Sequence, residues 1–94
     1  MSTDETIRLD ERFDFSYHRT FHESCKVLLE RPSVKKITLD LAKTRYMDSS
    51  ALGMLVQLKK KCDEAGKGVA IVNATGQVRE TLEIANIQKL IPLA

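Results

Sequence analysis

Thr38-Leu39-Asp40-Leu41-Ala42-Lys43-Thr44-Arg45-Tyr46-Met47-Asp48-Ser49-Ser50-Ala51-Leu52-Gly53-Met54-Leu55 is the stretch on which the reading of this 94-residue chain turns. It predicts a β-strand ending at Leu41, a short loop, and a helix opening at Asp48 or Ser49. Beyond that opening, Leu52, Leu55 and Leu58 carry an apolar stripe, with Ala51, Met54 and Cys62 filling the same side. Asp48, Ser49 and Ser50 are residue types that cap helices, because their side-chain oxygens accept from the unpaired N–H groups of the first turn. A helix cap is therefore the plain reading of Asp-Ser-Ser, and any functional reading has to rest on more than those three residues.

Working toward the N-terminus, Thr6 to Phe13 has strand character, with Ile7 and Leu9 on one face. Residues 1–5 are expected to be frayed. Asp14-Phe15-Ser16 breaks the strand, and Ser16 is a plausible N-cap for a helix whose apolar stripe is Phe21, Cys25, Leu28 and Leu29. That helix stops before Pro32, since proline disfavours helix at the residue preceding it. Val34 to Leu41 forms the next strand, and its alternation implies that one sheet face is more covered than the other. Working toward the C-terminus, the signature helix ends near Gly66, a C-cap residue. Val69-Ala70-Ile71-Val72 is the continuous apolar run of a central parallel strand. Asn73 to Gly76 reads as loop, then Val78, Leu82 and Ala85 line a third helix. Asn86 falls where a left-handed cap is needed, and Leu90-Ile91 suits a last short strand.

The resulting order, β-α-β-α-β-α-β, implies one α/β domain over residues 1–94 with a mostly parallel sheet. Phe13, Leu39 and Val72 are candidate core residues. At 43% hydrophobic and 30% charged the composition is that of an ordinary globular domain. A formal charge of +2 is too small to argue for nucleic acid. Lys59-Lys60-Lys61 reads as a solvated helix face. Cys25 and Cys62 lie on apolar faces without metal-ligand spacing, which suits a core role in a reducing cytoplasm. The polar, acidic start is unlike a signal peptide, and no apolar run approaches a membrane span. His18 and His22 stand at a spacing that can share a metal, but no third ligand is near in sequence, so no metal or cofactor is expected. Nor is catalysis: a serine nucleophile needs a base and an oxyanion site, and neither histidine is aimed at Ser49 by any sequence signal.

Tyr46-Met47-Asp48-Ser49-Ser50-Ala51-Leu52-Gly53 resembles the signature of STAS-domain proteins, specifically the stand-alone bacterial anti-sigma factor antagonists. Their pattern is an aromatic or apolar pair followed by Asp-Ser-Ser/Thr-Gly-Leu-Gly. The resemblance implies phosphorylation at Ser49, the serine directly after the aspartate. Ala51 departs from the commoner glycine and would leave less room for a partner's backbone. Glu11-Arg12-Phe13-Asp14 is similar to the family's Gly-Glu-Leu-Asp, whose aspartate lies beside the phosphorylated serine, so Asp14 takes that part here. The glycine of that motif is replaced by Glu11. The family usually has a strand ahead of this one and often a further C-terminal helix. The expectation is therefore a STAS-like βαβαβαβ domain with a trimmed N-terminal edge and no extra C-terminal helix.

The resemblance also implies a function: partner switching in signal transduction and transcription regulation. Unphosphorylated, such a protein binds an anti-sigma factor, often a serine kinase of the histidine-kinase-like ATPase fold, and frees a sigma factor. Phosphorylation at Ser49 releases the partner, and a metal-dependent serine phosphatase resets the switch. The motifs are most similar to a proteobacterial subgroup served by response regulators with phosphatase and kinase-like domains, acting on flagellar anti-sigma factors or second-messenger enzymes. The implied partner-binding and phosphosite surroundings are Asp14, Arg45, Asp48, Ser50, Ala51, Gly53 and Gln57, although Arg45 reads equally as a loop charge. The competing reading is a constitutive STAS subunit of a larger assembly, such as an ABC-type lipid transport complex.

Overall fold

The computed structural model describes residues 3–94. Three parallel strands, β1 (Thr3–Arg8), β3 (Val34–Asp40) and β5 (Gly68–Val72), form the main sheet in the order β1-β3-β5. A separate pair, β2 (Arg12–Phe13) and β4 (Tyr46–Met47), is also parallel. The helices are α1 (His18–Leu29), α2 (Ser49–Glu64) and α3 (Gly76–Ile84), with short 3-10 turns at Phe15–Tyr17 and Ile87–Lys89. The expected α/β architecture with a mostly parallel sheet is what the chain adopts.

Register explains which face is covered. Ile7, Leu39 and Ile71 lie side by side across the sheet, as do Ile37 and Val69. Apart from half-buried Ile7, these residues are buried and belong to one apolar cluster with the helix stripes. That cluster takes in Phe21, Cys25 and Leu28 of α1, Ala51, Met54, Leu55, Leu58 and Cys62 of α2, and Val78 and Leu82 of α3. Lys36, Thr38 and Asp40 occupy the intervening positions of β3 and stay exposed or half-buried. Each fully buried aliphatic or aromatic side chain contributes about 1.5–3 kcal/mol, so this single covered face carries most of the stability. Phe13 lies fully buried against Phe21, 5.1 Å between ring centroids, and edge-on to Tyr17 at 6.0 Å. Leu39 is buried as expected, whereas Val72 is only half-buried.

Five expectations need correction. The strand from Thr6 to Phe13 is two strands. Beyond Arg8 the backbone leaves β3: the Asp10 carbonyl accepts the Thr44 hydroxyl at 2.9 Å, and the Glu11 carbonyl accepts the Arg45 and Tyr46 N–H groups at 2.8 and 3.0 Å. These bonds turn Arg12 and Phe13 onto β4 instead. Thr3 to Glu5 are not frayed but paired with β3, which satisfies their backbone groups; Met1 and Ser2 lie outside the described residues. Ser16 is not an N-cap. Asp14 caps the 3-10 turn, accepting from the Ser16 N–H at 3.0 Å, and α1 begins only at His18. Leu90 and Ile91 do not form a strand, because the 3-10 turn runs into them; Leu93 bridges to Ile71 instead. Ala85, expected on the apolar face of α3, is exposed.

The helix ends follow the sequence more closely. Gly66 after α2 has φ +70° and Asn86 after α3 has φ 59°. Both adopt the left-handed conformation that glycine and asparagine tolerate best. Cys25 and Cys62 are buried free thiols, and burial pushes the Cys25 thiol up to about 12.

Candidate functional site

The signature sits at the C-terminal ends of the parallel strands, where open α/β sheets place their working loops. Asp48 has extended backbone and its Oδ1 accepts from the Ala51 N–H at 3.0 Å, making it the cap of α2. Ser49 is the first helical residue and is exposed; among the described residues no side-chain hydrogen bond holds its hydroxyl. The capping role that Asp, Ser and Ser shared on sequence grounds thus falls to Asp48. Ser50 is half-buried. Ala51 is fully buried in the core, so its methyl fills the interior rather than crowding a partner.

The β2–β4 pair brings the N-terminal aspartate to this place. Arg12 pairs with Tyr46 and Phe13 with Met47, so Asp14 and Asp48 are the next residues along two adjacent parallel strands. Asp14 is held by three donors. The Ser16 hydroxyl and N–H both donate to Oδ1, and the Arg12 Nε–H donates to Oδ2 at 3.2 Å. The Ser16 hydroxyl above all, with the Ser16 N–H and Arg12, holds the Asp14 carboxyl below its usual range against the opposing effect of desolvation. The Arg12 guanidinium also lies 4.5 Å from the centroid of the Tyr46 ring. The glycine absent at Glu11 does not prevent this placement: the Glu11 carbonyl takes up the β4 backbone.

The remaining residues split across α2. Ser49, Gly53, Val56, Gln57 and Lys60 follow helical spacing and are all exposed, so they form one open face. A Cβ built on Gly53 meets no atom within 4 Å. Gln57 also reaches the groove between α1 and α2. Arg45 lies in a separate polar cleft with Ala42, Thr44 and the start of α3 from Thr75 to Val78. Arg45 and Gln57 therefore do not share one pocket. Sequence reasoning missed Arg12, Tyr46, Phe15 and Val56. Phe15 is 70% exposed and stacks on the His18 ring at 5.9 Å, close in the chain to Asp14. Among the described residues no three potential metal ligands cluster, and no helix is long and apolar enough to cross a membrane.

Comparison with known proteins bears on the fold and the family. A STAS-domain-containing protein of Pseudomonas aeruginosa (strain UCBPP-PA14) is 32% identical over 89 residues, covering 95% of this chain and 86% of the relative. The Bacillus anti-sigma factor antagonist SpoIIAA in its unphosphorylated form superimposes with a TM-score of 0.78 at 20% identity, over 100% of this chain and 84% of that one. The STAS domain of a SulP transporter from Vibrio cholerae gives 0.78 at 19% identity, over 94% and 67%. At such identities these two likenesses establish the fold alone. The family profile described as STAS domain matches residues 2–94, and the chain belongs to that family.

Proposed function

We propose that this protein is a phosphorylation-switched binding module that antagonises an anti-sigma factor. The observation that carries the reading is the division of labour at α2: Asp48 caps the helix, leaving the Ser49 hydroxyl exposed and without a structural hydrogen bond. A kinase can reach such a hydroxyl. Its oxygen takes the γ-phosphoryl group of ATP, ADP leaves, and the hydroxyl proton passes to a base on the kinase. The new phosphate stands at a helix N-terminus, where negative charge is favoured by about 0.3–1 kcal/mol. Asp48 and Asp14 oppose it by repulsion, so the fold persists while the patch becomes strongly negative.

The unphosphorylated partner surface is the exposed face Ser49-Gly53-Gln57 with Val56, together with the half-buried Ser50 and the Asp14 loop. Arg45 contributes from the loop that precedes β4. Ala51 shapes the helix from within the core. A partner fitted to neutral Ser49 meets about −1.5 to −2 added charge after phosphorylation, and a loss of about 1.4 kcal/mol already weakens binding tenfold. The partner in this reading is an anti-sigma factor, often itself a serine kinase of the histidine-kinase-like ATPase fold, with a metal-dependent serine phosphatase reversing the modification in the cytoplasm. The protein is no enzyme in this reading, because the nearby carboxylates are engaged elsewhere, Asp48 with the Ala51 N–H and Asp14 with Ser16 and Arg12. Support comes from the SpoIIAA neighbour, which has also been solved in a phosphorylated form. The transporter STAS neighbour favours the competing reading, a constitutive domain of a larger assembly.

Two substitutions separate these readings. Ser49→Ala keeps a small neutral surface and should bind the anti-sigma partner as the unmodified protein does, while accepting no phosphate. Ser49→Asp should fold equally well and bind at least about tenfold more weakly. Calorimetric titration alongside kinase incubation and phosphosite mapping reads both. Equal affinity of the two variants for the partner would remove the switch and favour the constitutive subunit.

A further inference from the structure

The groove between α1 and α2 lies beside the proposed Ser49 surface and shares only Gln57 with it. It holds about 220 Å³, and its apolar floor is Phe21, Cys25, Leu29, Met54 and Leu58, of which Leu29 is half-buried and the others show only an edge from the core. Its walls are basic. His18, His22 and Lys26 step down α1 at four-residue intervals, and Lys61 stands on α2. Glu30 is the single acidic residue along the groove. Neither Lys26 nor Lys61 is paired with a carboxylate among the described residues.

Each lysine lies in the last turn of its helix, where a positive charge complements the dipole. That role leaves both ammonium groups free to meet a ligand. It does not account for His18 and His22, which stand at the opposite end of α1. From His18 to Lys26 the basic wall runs about 12 Å at roughly 1.5 Å per residue. A single-headed amphiphile needs its cations at one end only. Donors spread along the groove match a rod carrying acids at the same four-residue repeat. A second copy of this chain seated groove to groove would bring two more lysines and a single acid, Glu30, and so leave positive charge unmatched.

We infer that the α1–α2 groove docks an acidic amphipathic helix of a partner protein, with its apolar stripe on Phe21, Met54 and Leu58 and its carboxylates against His18, His22, Lys26 and Lys61. The inference goes beyond the Ser49 switch and does not rest on it. Gln57, which also lies on the exposed face of α2, joins the two surfaces, so one partner can occupy both.

The test uses the full, unmodified chain and two synthetic 15-residue helical peptides of about four turns. One carries a leucine stripe flanked by glutamates; the other has lysine at every glutamate. The acidic peptide should shift the backbone signals of His22, Cys25, Met54 and Gln57. It should bind at least about tenfold more tightly than the lysine peptide, and more weakly as salt is raised. The double variant Lys26→Gln/Lys61→Gln, altered only at exposed positions, should stay folded with a slightly lowered melt from the lost dipole complement, and lose about tenfold in affinity. Ser49→Asp should bind the acidic peptide unchanged, so the groove can fail while the switch stands, and the reverse. Four outcomes would overturn the inference: equal binding of both peptides, no shifts in the groove at about 1 mM acidic peptide, groove shifts with decanoate but not with peptide, or self-association through the groove in sedimentation.

Discussion

Gly53 offers the sharpest test of what the exposed face of α2 is for. Glycine within a helix is about 0.8–1 kcal/mol less favourable than alanine, because it gives up more backbone freedom on folding. Nothing in the fold requires it here. Gly53 is not among the residues with positive φ, it is exposed, and an added Cβ meets no atom within 4 Å. Gly53→Ala should therefore stabilise the domain by about 0.5–1 kcal/mol. For a domain of this size each kcal/mol raises Tm by about 4–8 °C, so the expected rise is about 2–8 °C. Thermal melts and urea titrations with unchanged m-value would measure it. The same methyl stands one turn from Ser49, where the proposed partner packs. Binding to the anti-sigma partner should weaken as stability rises, the trade-off expected where a face is kept for recognition. A destabilised Gly53→Ala would refute the account of open space around this position. A stabilised variant with unchanged partner affinity would remove this face from the interface.

The other predictions concern the aspartates that organise the sheet edge. Asp48→Ala removes the cap of α2 and should cost about 0.5–2 kcal/mol, whereas Ser49→Ala, which loses no hydrogen bond, should stay within about 0.5 kcal/mol of the parent; chemical denaturation of both decides the matter, and equal losses would contradict the assignment of the cap to Asp48. Asp40 accepts from the Asn73 amide at 3.0 Å and the Ala42 N–H at 2.9 Å, and these, with Arg8 3.8 Å away, hold its carboxyl below the ordinary 3.8. A depressed carboxyl pKa gives stability that is present above the unfolded value and lost as pH falls through the folded one. The protein should accordingly weaken below about pH 4, and Asp40→Asn should weaken less over that acid range; parallel pH titrations of unfolding would show the two curves converging, and parallel curves would exclude Asp40 as a contributor.

Much of this protein is written in local pattern. The helix period of Leu52, Leu55 and Leu58, the strand run from Val69 to Val72 and the left-handed caps at Gly66 and Asn86 are properties of short segments. Each follows from side-chain spacing or from the backbone freedom of one residue type. The family signature around Asp48 and Ser49 is local in the same sense. The strand-to-loop change at Leu9 to Glu11 was not legible, because it is decided by partners more than thirty residues away. The Thr44 hydroxyl and the Arg45 and Tyr46 amides take carbonyls that the segment alone would have offered to a sheet neighbour. From that change comes the β2–β4 pair, and from the pair the adjacency of Asp14 and Asp48 and the seating of Arg12 on Tyr46. Three capping residue types in a row likewise left the choice of cap open, until backbone dihedrals gave the role to Asp48 and freed Ser49. Sequence set Ala51 on the apolar stripe but also against a partner, and only the packed structure gave it to the core; nor could sequence tell that Arg45 and Gln57 line separate clefts. Which side of a helix meets the sheet depends on the whole packed layer, and only the tertiary structure assembles that layer.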